Sequence, residues 1–371
     1  MRTETLDIPG STPGTRHTLT VLRFGTPGAG PKAYIQGAMH ADEVPAMLVV
    51  QQLRAQLVLL EAQGALRGEV VLVPFANPLG LAQLLLGQPH GRFDLADGGN
   101  FNRGFPDLSA ALLDAVRKHL TDDTAHNSRT IRAALRRLAG PLQAATSAEH
   151  LKHHLLQLAI DADVVLDLHC DSDAVMHLYA LTPQRALAEQ LGAALGARAV
   201  LLATDSGGSP FDEACTRPWL ALQQALPQWP IALGCFAATV ELRGECDTDH
   251  ALARQDAQGL VGFLRQRGVL AGTPGALPAP ICDPTPLAGS EPLTAPHAGV
   301  IVFHRRSGEQ VAPGDAIADL VDPASGAITT VRCQSAGVLY ARCGSRWAHA
   351  GKRLGKIAGV TLNRTGPLLS P

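Results

Sequence analysis

Apolar residues along the first 270 positions fall into two patterns, short continuous runs and longer segments with helical spacing. The runs that end near Gly37, Phe75 and Cys170 do not alternate, which is typical of strands buried on both faces of a sheet. Further predicted strands are 19–24, 177–181, 198–203 and 234–242. The helical segments are 45–63, 109–120, 129–139, 147–160, 183–195, 210–225 and 249–267. This order predicts an α/β domain over residues 1–270, with a mixed, mostly parallel central sheet and helices on both faces.

The pattern changes after this domain. Residues 271–288 are rich in proline and predict an extended, fairly stiff linker. Residues 289–371 lose the helical spacing and contain two similar units, offset by about 36–38 residues. The matching segments are 298–302 with 336–340, and 308–317 with 344–354. The repeat predicts a small all-β barrel or sandwich built from one duplicated unit.

Three side chains that suit a metal ion follow predicted strands. His40 and Glu43 form an H-x-x-E pair at a strand-to-helix turn, where an imidazole and a carboxylate can converge on one ion. Alone this pair is a weak signal, because a surface histidine and a helix-capping glutamate give the same spacing. His169, at the end of another strand, completes a His₂Glu set, which is the ligand set of a catalytic zinc with an open position for water. Other divalent ions accept the same ligands.

Two carboxylates accompany these candidate ligands. Asp167 shares a strand face with His169, so it either orients that imidazole or caps backbone amides at the strand end. Glu241, at the tip of an apolar strand, is the candidate base that takes a proton from water and later gives it to the leaving amine. Glu245 is a competitor, but it lies past Gly244, and we expect it to be solvated.

The stretch 87–107 is rich in glycine, aspartate and arginine and predicts a long ordered loop, which in compact domains is usually functional. Asn102 and Arg103 offer an amide and a planar guanidinium that together suit a substrate carboxylate. Arg92 either stabilises the oxyanion that develops on the scissile carbonyl or is a solvated surface charge.

The motifs, and their order along the chain, resemble those of the succinylglutamate desuccinylase/aspartoacylase family, which is related to the zinc carboxypeptidases. The segments that carry the resemblance, all between residues 30 and 265, are Gly37–Glu43, Asn77–Pro78, Asn102–Pro106, Asp167–His169 and Glu241. The C-terminal β domain also fits this family. The resemblance implies a zinc carboxypeptidase-like fold for the α/β domain.

The resemblance also implies roles for individual residues. It implies one Zn²⁺ per chain, with the ligands His40, Glu43 and His169. Glu241 is then the general base and acid, and Arg92 is the arginine that polarises the carbonyl. Asn102 and Arg103 are then the residues that bind a substrate carboxylate.

Some positions depart from the family pattern. The usual Gly-Asn between the first two ligands is Ala41–Asp42 here, and the usual Asp-Leu before the Asn-Arg pair is Asn100–Phe101. These changes alter the pocket wall, so neither succinylglutamate nor acetylaspartate is assumed as the substrate. The family's C-terminal domain can contribute a tyrosine to the site, for which Tyr340 is the available residue. The duplicated unit also resembles biotinyl and lipoyl carrier domains, but its connection 322–330 has no lysine to modify, which argues against a carrier role.

Composition and charge argue against several classes of function. The net charge of −2 gives no basic field for nucleic acid. The chain has no apolar stretch long enough for a membrane helix and no signal-peptide pattern at its start. Its 7 cysteines contain no C-x-x-C pair, which favours scattered thiols in a cytoplasmic protein. The expected partner is a small molecule, and the sequence leaves a homo-oligomer open.

We therefore expect a zinc-dependent hydrolase that cleaves the amide bond of an N-acyl amino acid or a similar small carboxylate. The first alternative is a metallocarboxypeptidase or an esterase with the same metal and another pocket. The second alternative is a non-catalytic binding protein that has kept the fold.

Overall fold

The structure is a computed structural model that describes residues 1–140, 142–362 and 364–369. The strands up to residue 286 are β1 (Arg2–Pro9), β2 (Arg16–Gly25), β3 (Lys32–Gly37), β4 (Glu69–Val73), β5 (Leu84–Leu85), β6 (Gln88–Pro89), β7 (Val164–Asp171), β8 (Asp173–Ala174), β9 (Met176–Leu181), β10 (Ala199–Ala203), β11 (Phe236–Gly244) and β12 (Thr285–Pro286). The α-helices are α1 (Pro45–Ala62), α2 (Pro78–Leu81), α3 (Ser109–Val116), α4 (Thr124–Ala139), α5 (Ser147–Ala159), α6 (Arg185–Leu195), α7 (Phe211–Ala225) and α8 (His250–Gln266). Every helix predicted from apolar spacing is present, with shifted ends.

The central sheet is mixed and has the strand order β1-β2-β4-β3-β7-β11-β9-β10-β12. Neighbouring strands are parallel at its centre, where β3 lies between β4 and β7, and β7 pairs with β11. Strand β9 runs antiparallel to β11, and β1 and β2 form an antiparallel edge. Strand β12 falls inside the predicted linker and pairs with β10, so the end of that segment is part of the sheet. Strand β1 was not predicted, because most of its side chains are exposed and give little apolar signal.

Two apolar cores cover the two faces of this sheet. Alternate residues of a strand point to opposite faces, and β7 illustrates the division. Val165 belongs to the core under α3, α4, α5 and α7, whereas Val164 and Leu166 belong to the core under α1, α6 and α8. The prediction of helices on both faces is therefore confirmed, and it explains why the central strands lack alternation.

The later part of the chain is β-rich, as predicted. Its strands are β13 (Ser290–Thr294), β14 (Gly299–Phe303), β15 (Gln310–Val311), β16 (Ala316–Val321), β17 (Ile328–Arg332), β18 (Gly337–Arg342), β19 (Trp347–Ala348) and β20 (Arg353–Ala358). They form one sheet of β13, β20, β18 and β15 and another of β17, β16, β14 and β19. The duplicated units correspond to β14–β16 and β18–β20, and the short middle strand of each pairs with the first strand of the other. Both sheets contribute to one apolar core that contains Ile301, Ile317, Leu339 and Leu354.

The β-rich part packs directly against the α/β part. Strand β8 extends the first C-terminal sheet by pairing with β18. Two ion pairs cross the same boundary, Lys356 Nζ to Asp171 Oδ2 at 2.6 Å and Arg342 Nη2 to Asp173 Oδ2 at 2.5 Å. A smaller apolar cluster that includes Tyr179, Leu201 and Tyr340 fills the space between the two parts. The domain limits at 270 and 288 stay a prediction.

No α-helix among the described residues is long and apolar enough to cross a membrane.

Candidate active site

His40 and Glu43 lie in the turn between β3 and α1. Both side chains are buried, with 4% and 7% of the residue surface exposed. Helix α1 begins after Val44, which makes no side-chain cap, and Glu43 turns its carboxylate away from the helix, toward the two imidazoles. The alternative of a surface histidine with a capping glutamate is therefore excluded by the geometry.

His169 reaches the same point from β7, the strand next to β3. One Glu43 oxygen lies 2.8 Å from His40 Nδ1, and the other lies 2.7 Å from His169 Nδ1. One ligand atom from each of the three residues falls within 4.8 Å of the others. A buried set of two imidazoles and one carboxylate matches the donors that hold a catalytic zinc and leave a position open. The three residues therefore fit a divalent metal ion.

The Nε2 atoms of the two imidazoles point away from Glu43 and have partners of their own. His40 Nε2 lies 3.0 Å from Asn100 Oδ1, and His169 Nε2 lies 2.9 Å from Asp167 Oδ2. Asp167 is fully buried and also accepts a hydrogen bond from Gln36 Nε2 at 2.8 Å. Such oxygen partners fix the ring orientation of metal-binding histidines. Of the two readings of Asp167, the structure thus favours the one in which it orients His169.

The electrostatics of the cluster follow from burial and from the mutual contacts of its charges. Burial would raise the pKa of Glu43, but the two adjacent imidazoles outweigh it and bring that pKa well below its usual value. Burial lowers the pKa of His40. Burial also acts to lower the pKa of His169, but the carboxylates of Asp167 and Glu43 outweigh it and raise that pKa well above the ordinary value. A carboxylate that stays ionised here is the form that binds a cation.

Glu241 lies on β11 directly beside His169, with which it is in register. Burial, followed by the charge of Glu43, raises the pKa of Glu241 to about 8. Its Oε2 is buried and has no hydrogen-bond partner among the described residues. The competing Glu245 lies past a bulge in β11 and is exposed, as expected. Glu241 is therefore a buried carboxyl with one unpartnered oxygen, directly beside a candidate metal ligand.

Arg92 lies against the candidate metal ligands. Its Nη2 is 2.8 Å from Glu43 Oε1, and its Nη1 is 3.5 Å from His40 Nε2. The side chain is 38% exposed and lines the cavity. Its guanidinium is therefore held at the site by an ion pair, which does not fit the alternative of a free surface charge.

Asn102 and Arg103 also reach the cavity, but through different contacts. Asn102 is buried, accepts a hydrogen bond from Phe211 N at 3.0 Å and has its Nδ2 3.4 Å from Asp167 Oδ2. These contacts connect the loop to α7 and to the strand that carries His169. Arg103 is partly buried, and its Nη1 donates to the Asn102 carbonyl oxygen at 2.7 Å. Both residues line the cavity, and their role in substrate binding stays a prediction.

The cavity has a volume of about 490 Å³ and lies between the carboxyl ends of the central strands and the β-rich part. Lys356 and Arg342 of the β-rich part line it, together with Asp171 and Tyr179. None of these four residues was singled out from the sequence, because no motif surrounds them. The one sequence signal for Asp171 is its place at the end of a predicted strand, two positions after His169.

Two more residues lie at or near the cavity, and the sequence offered Tyr340 as a tyrosine for the site. Tyr340 is 1% exposed, contacts the His177 ring and lies 2.9 Å from Ser290 through its hydroxyl, so it packs beneath the cavity wall. Cys170 lines the cavity, but burial raises the pKa of its thiol, which keeps the sulfur protonated and disfavours it as a metal ligand.

The family model of the succinylglutamate desuccinylase/aspartoacylase catalytic domain matches residues 29–266. Among solved structures, a succinylglutamate desuccinylase/aspartoacylase family protein of Shewanella amazonensis is 29% identical, with a TM-score of 0.85 over 96% of this chain and 98% of that chain. A structure described as a succinylglutamate desuccinylase/aspartoacylase of Shewanella frigidimarina is 25% identical, with a TM-score of 0.85 over 96% of this chain and 97% of that chain.

A more distant likeness shows the fold alone. The ectoine utilization protein EutE (DoeB) of Ruegeria pomeroyi is 20% identical, with a TM-score of 0.64 over 97% of this chain and 95% of that chain. The similarity to all three structures extends through the β-rich part as well as the α/β part. A comparison with curated proteins finds no match.

Proposed function

Because the chain belongs to the succinylglutamate desuccinylase/aspartoacylase family, we propose that it is a zinc-dependent hydrolase of amide bonds. Its substrate is an N-acyl amino acid or a similar small carboxylate. The observation that carries the proposal is the convergence of His40, Glu43 and His169 beside Glu241 in one cavity. A binding protein without catalysis would need the ligands but not a carboxylate beside them with an unpartnered, buried oxygen.

Different residues of the chain have different roles in the proposed hydrolysis. His40, Glu43 and His169 hold the zinc, which when bound polarises a carbonyl and makes water more acidic. Glu241 accepts a proton from the attacking water at its carboxylate and then donates that proton to the leaving amine. Burial acts to raise the pKa of Glu241, and a carboxylate with a raised pKa is the stronger proton acceptor in the first step.

Two arginines supply the remaining positive charge. Arg92, next to the metal ligands, stabilises the negative charge that develops on the carbonyl oxygen. Arg103 binds the substrate carboxylate, because a planar guanidinium can donate two parallel hydrogen bonds to it. Asn102 holds Arg103 and α7 in position through its own backbone and side-chain contacts.

The test is a panel of N-acyl amino acids, dipeptides and small esters, incubated with enzyme whose zinc content has been measured. We expect hydrolysis of the N-acyl amino acids, loss of activity with a chelator and recovery with added zinc. Preference for dipeptides or esters would instead support the metallocarboxypeptidase or esterase alternatives. Metal binding without turnover of any class would support a binding protein.

Replacement of Glu241 tests the mechanism itself. We expect Glu241→Gln to retain zinc and to reduce kcat by about 10²- to 10⁴-fold, because the proton acceptor is lost. Glu245→Gln is the matched control, since it removes the same charge from an exposed carboxylate four residues away, and it should keep normal turnover. Full activity of the Glu241 variant would remove this residue from the mechanism.

A further inference from the structure

The cavity continues past the metal ligands along one face of the central sheet. Thr239 lies two residues before Glu241 on β11, and Ala237 lies two before that, so their side chains share the face of Glu241. On the neighbouring β9, Tyr179 is the register partner of Thr239. Thr239, Ala237 and Tyr179 all line the cavity, as does Leu181. These four residues line one recess of the cavity. Along β11 the recess extends roughly 7 Å from Glu241 to Thr239, which is the rise of two residues in a strand.

Asp212 forms a wall of this recess from the first turn of α7. It is 8% exposed, lines the cavity and accepts a hydrogen bond from Thr239. Its Oδ1 has no hydrogen-bond partner among the described residues. Helix α7 is anchored beside the candidate site, because Phe211 N donates to Asn102 Oδ1. Asp212 is therefore a buried carboxyl at a fixed position, with one oxygen left to accept a donor.

Two neighbouring carboxylates, Asp167 and Glu213, act electrostatically on Asp212, and both already have hydrogen-bond partners. Asp167 accepts from Gln36 and lies against His169. Glu213 accepts from Ser206 N at 2.7 Å and from Arg217 at 2.9 Å. Burial, followed by the charge of Glu213, raises the pKa of Asp212 to about 7. A cation bound in the recess would reverse this effect, since an opposite charge favours the ionised carboxylate.

Given the proposed hydrolase function, on which this step rests, we infer that the recess receives a substrate side chain that ends in a primary amine, which Asp212 binds. The apolar walls at Leu181 and Ala237 suit the methylene groups of such a side chain. The substrates are thus N-acyl derivatives of diamino acids, with the carboxylate at Arg103 and the scissile carbonyl at the metal ligands. The depth of the recess matches an amine several carbon atoms away from the acylated nitrogen.

The experiment compares zinc-loaded wild type and Asp212→Asn on three sets of N-acetyl amino acids of similar length. The first set is N-acetylornithine and N-acetyllysine, the second is N-acetylnorvaline and N-acetylnorleucine, and the third is N-acetylglutamate. We expect wild type to prefer the amine set by kcat/KM. Asp212→Asn should reduce the ratio of amine to neutral substrates by about tenfold or more, as expected for a charged hydrogen bond.

Asp205→Asn is the matched control, because it makes the same change at an exposed carboxylate whose Oδ1 already accepts a hydrogen bond from Gly207 N at 2.8 Å. It should leave the ratio unchanged. Inhibition of wild type by free ornithine compared with norvaline gives a second measurement that does not require a folded variant, and ornithine should inhibit more strongly. Hydrolysis without preference for amines, equal inhibition, or an unchanged ratio in Asp212→Asn would overturn the inference and leave the hydrolase function standing. Inactivity on every substrate would overturn both.

Discussion

His169 illustrates how a single hydrogen bond can orient a candidate metal ligand. Asp167 Oδ2 lies 2.9 Å from His169 Nε2, so the other ring nitrogen faces His40 and Glu43. The carboxylate also increases the electron-donating character of the imidazole, because it stabilises positive charge on the ring. Asp167 itself is held by Gln36, so the orientation of His169 depends on a chain of buried contacts.

The first prediction concerns Asp167. We expect Asp167→Asn to weaken zinc binding by about 10- to 100-fold, because the amide supports the imidazole less well. Competition with a chromophoric chelator measures the affinity. Asp163→Asn is a control on the same side of β7, since Asp163 accepts from Arg132 and from Lys32 N, away from the metal ligands. Equal zinc affinity in wild type and Asp167→Asn would contradict the orienting role.

At the scale of secondary-structure elements, a bulge in β11 sets the end of the strand that carries Glu241. The register between β11 and β7 shifts between Glu241 and Gly244, and Arg243 within this bulge has a φ of 70°. A non-glycine residue in this region needs support from its surroundings. Arg243 is supported by an ion pair with Asp256 of α8, which is 2% exposed.

The second prediction tests this connection between β11 and α8. We expect Arg243→Met to lower the free energy of unfolding by about 3–5 kcal/mol, because it leaves Asp256 buried without its partner. The double variant Arg243→Met/Asp256→Leu should recover much of this loss, since no buried charge remains. Urea unfolding of wild type, both single variants and the double variant measures the coupling between the two residues. Additive effects would show that the ion pair does not support the bulge.

At the scale of the whole molecule, the β-rich part completes the cavity. Lys356 and Arg342 line it, and both form ion pairs with residues of the α/β part. Lys356, the only lysine of the chain that the structure describes as lining this cavity, is held by Asp171. Burial would raise the pKa of Asp171, but the ammonium group of Lys356 outweighs it and lowers that pKa to about 2.

The third prediction follows from the pKa of Asp171. Because this pKa is lower in the folded state, the ion pair stabilises the fold above the unfolded pKa of about 4 and loses its effect as the pH falls toward 2. We expect Lys356→Met to lower the free energy of unfolding by about 2 kcal/mol at pH 6, with a smaller difference near pH 2.5. Denaturant unfolding at several pH values measures this, with Lys352→Met as control. A difference that does not change with pH would argue against the pair.

The sequence by itself determined the fold class and the identity of the candidate metal ligands. An apolar run such as residues 70–73 of β4 indicates a strand that is buried on both faces, because a strand with one solvated face would alternate apolar and polar residues. The H-x-x-E pair and the later histidine could be recognised because their residue types and their places at strand ends restrict the chemistry. The duplication in residues 289–371 was visible for the same reason, since similar segments fold alike.

Only the tertiary structure decided which other side chains meet these ligands. Asn100 contacts His40 because of the conformation of its loop. Lys356 contacts Asp171 although it belongs to a different sheet and lies far along the chain. Asp212 follows an apolar residue at a helix start and carries no motif, yet its position against Thr239 makes it a buried carboxyl in the cavity. Such contacts depend on distances between elements that are remote in sequence, and the local pattern of polar and apolar residues does not contain those distances.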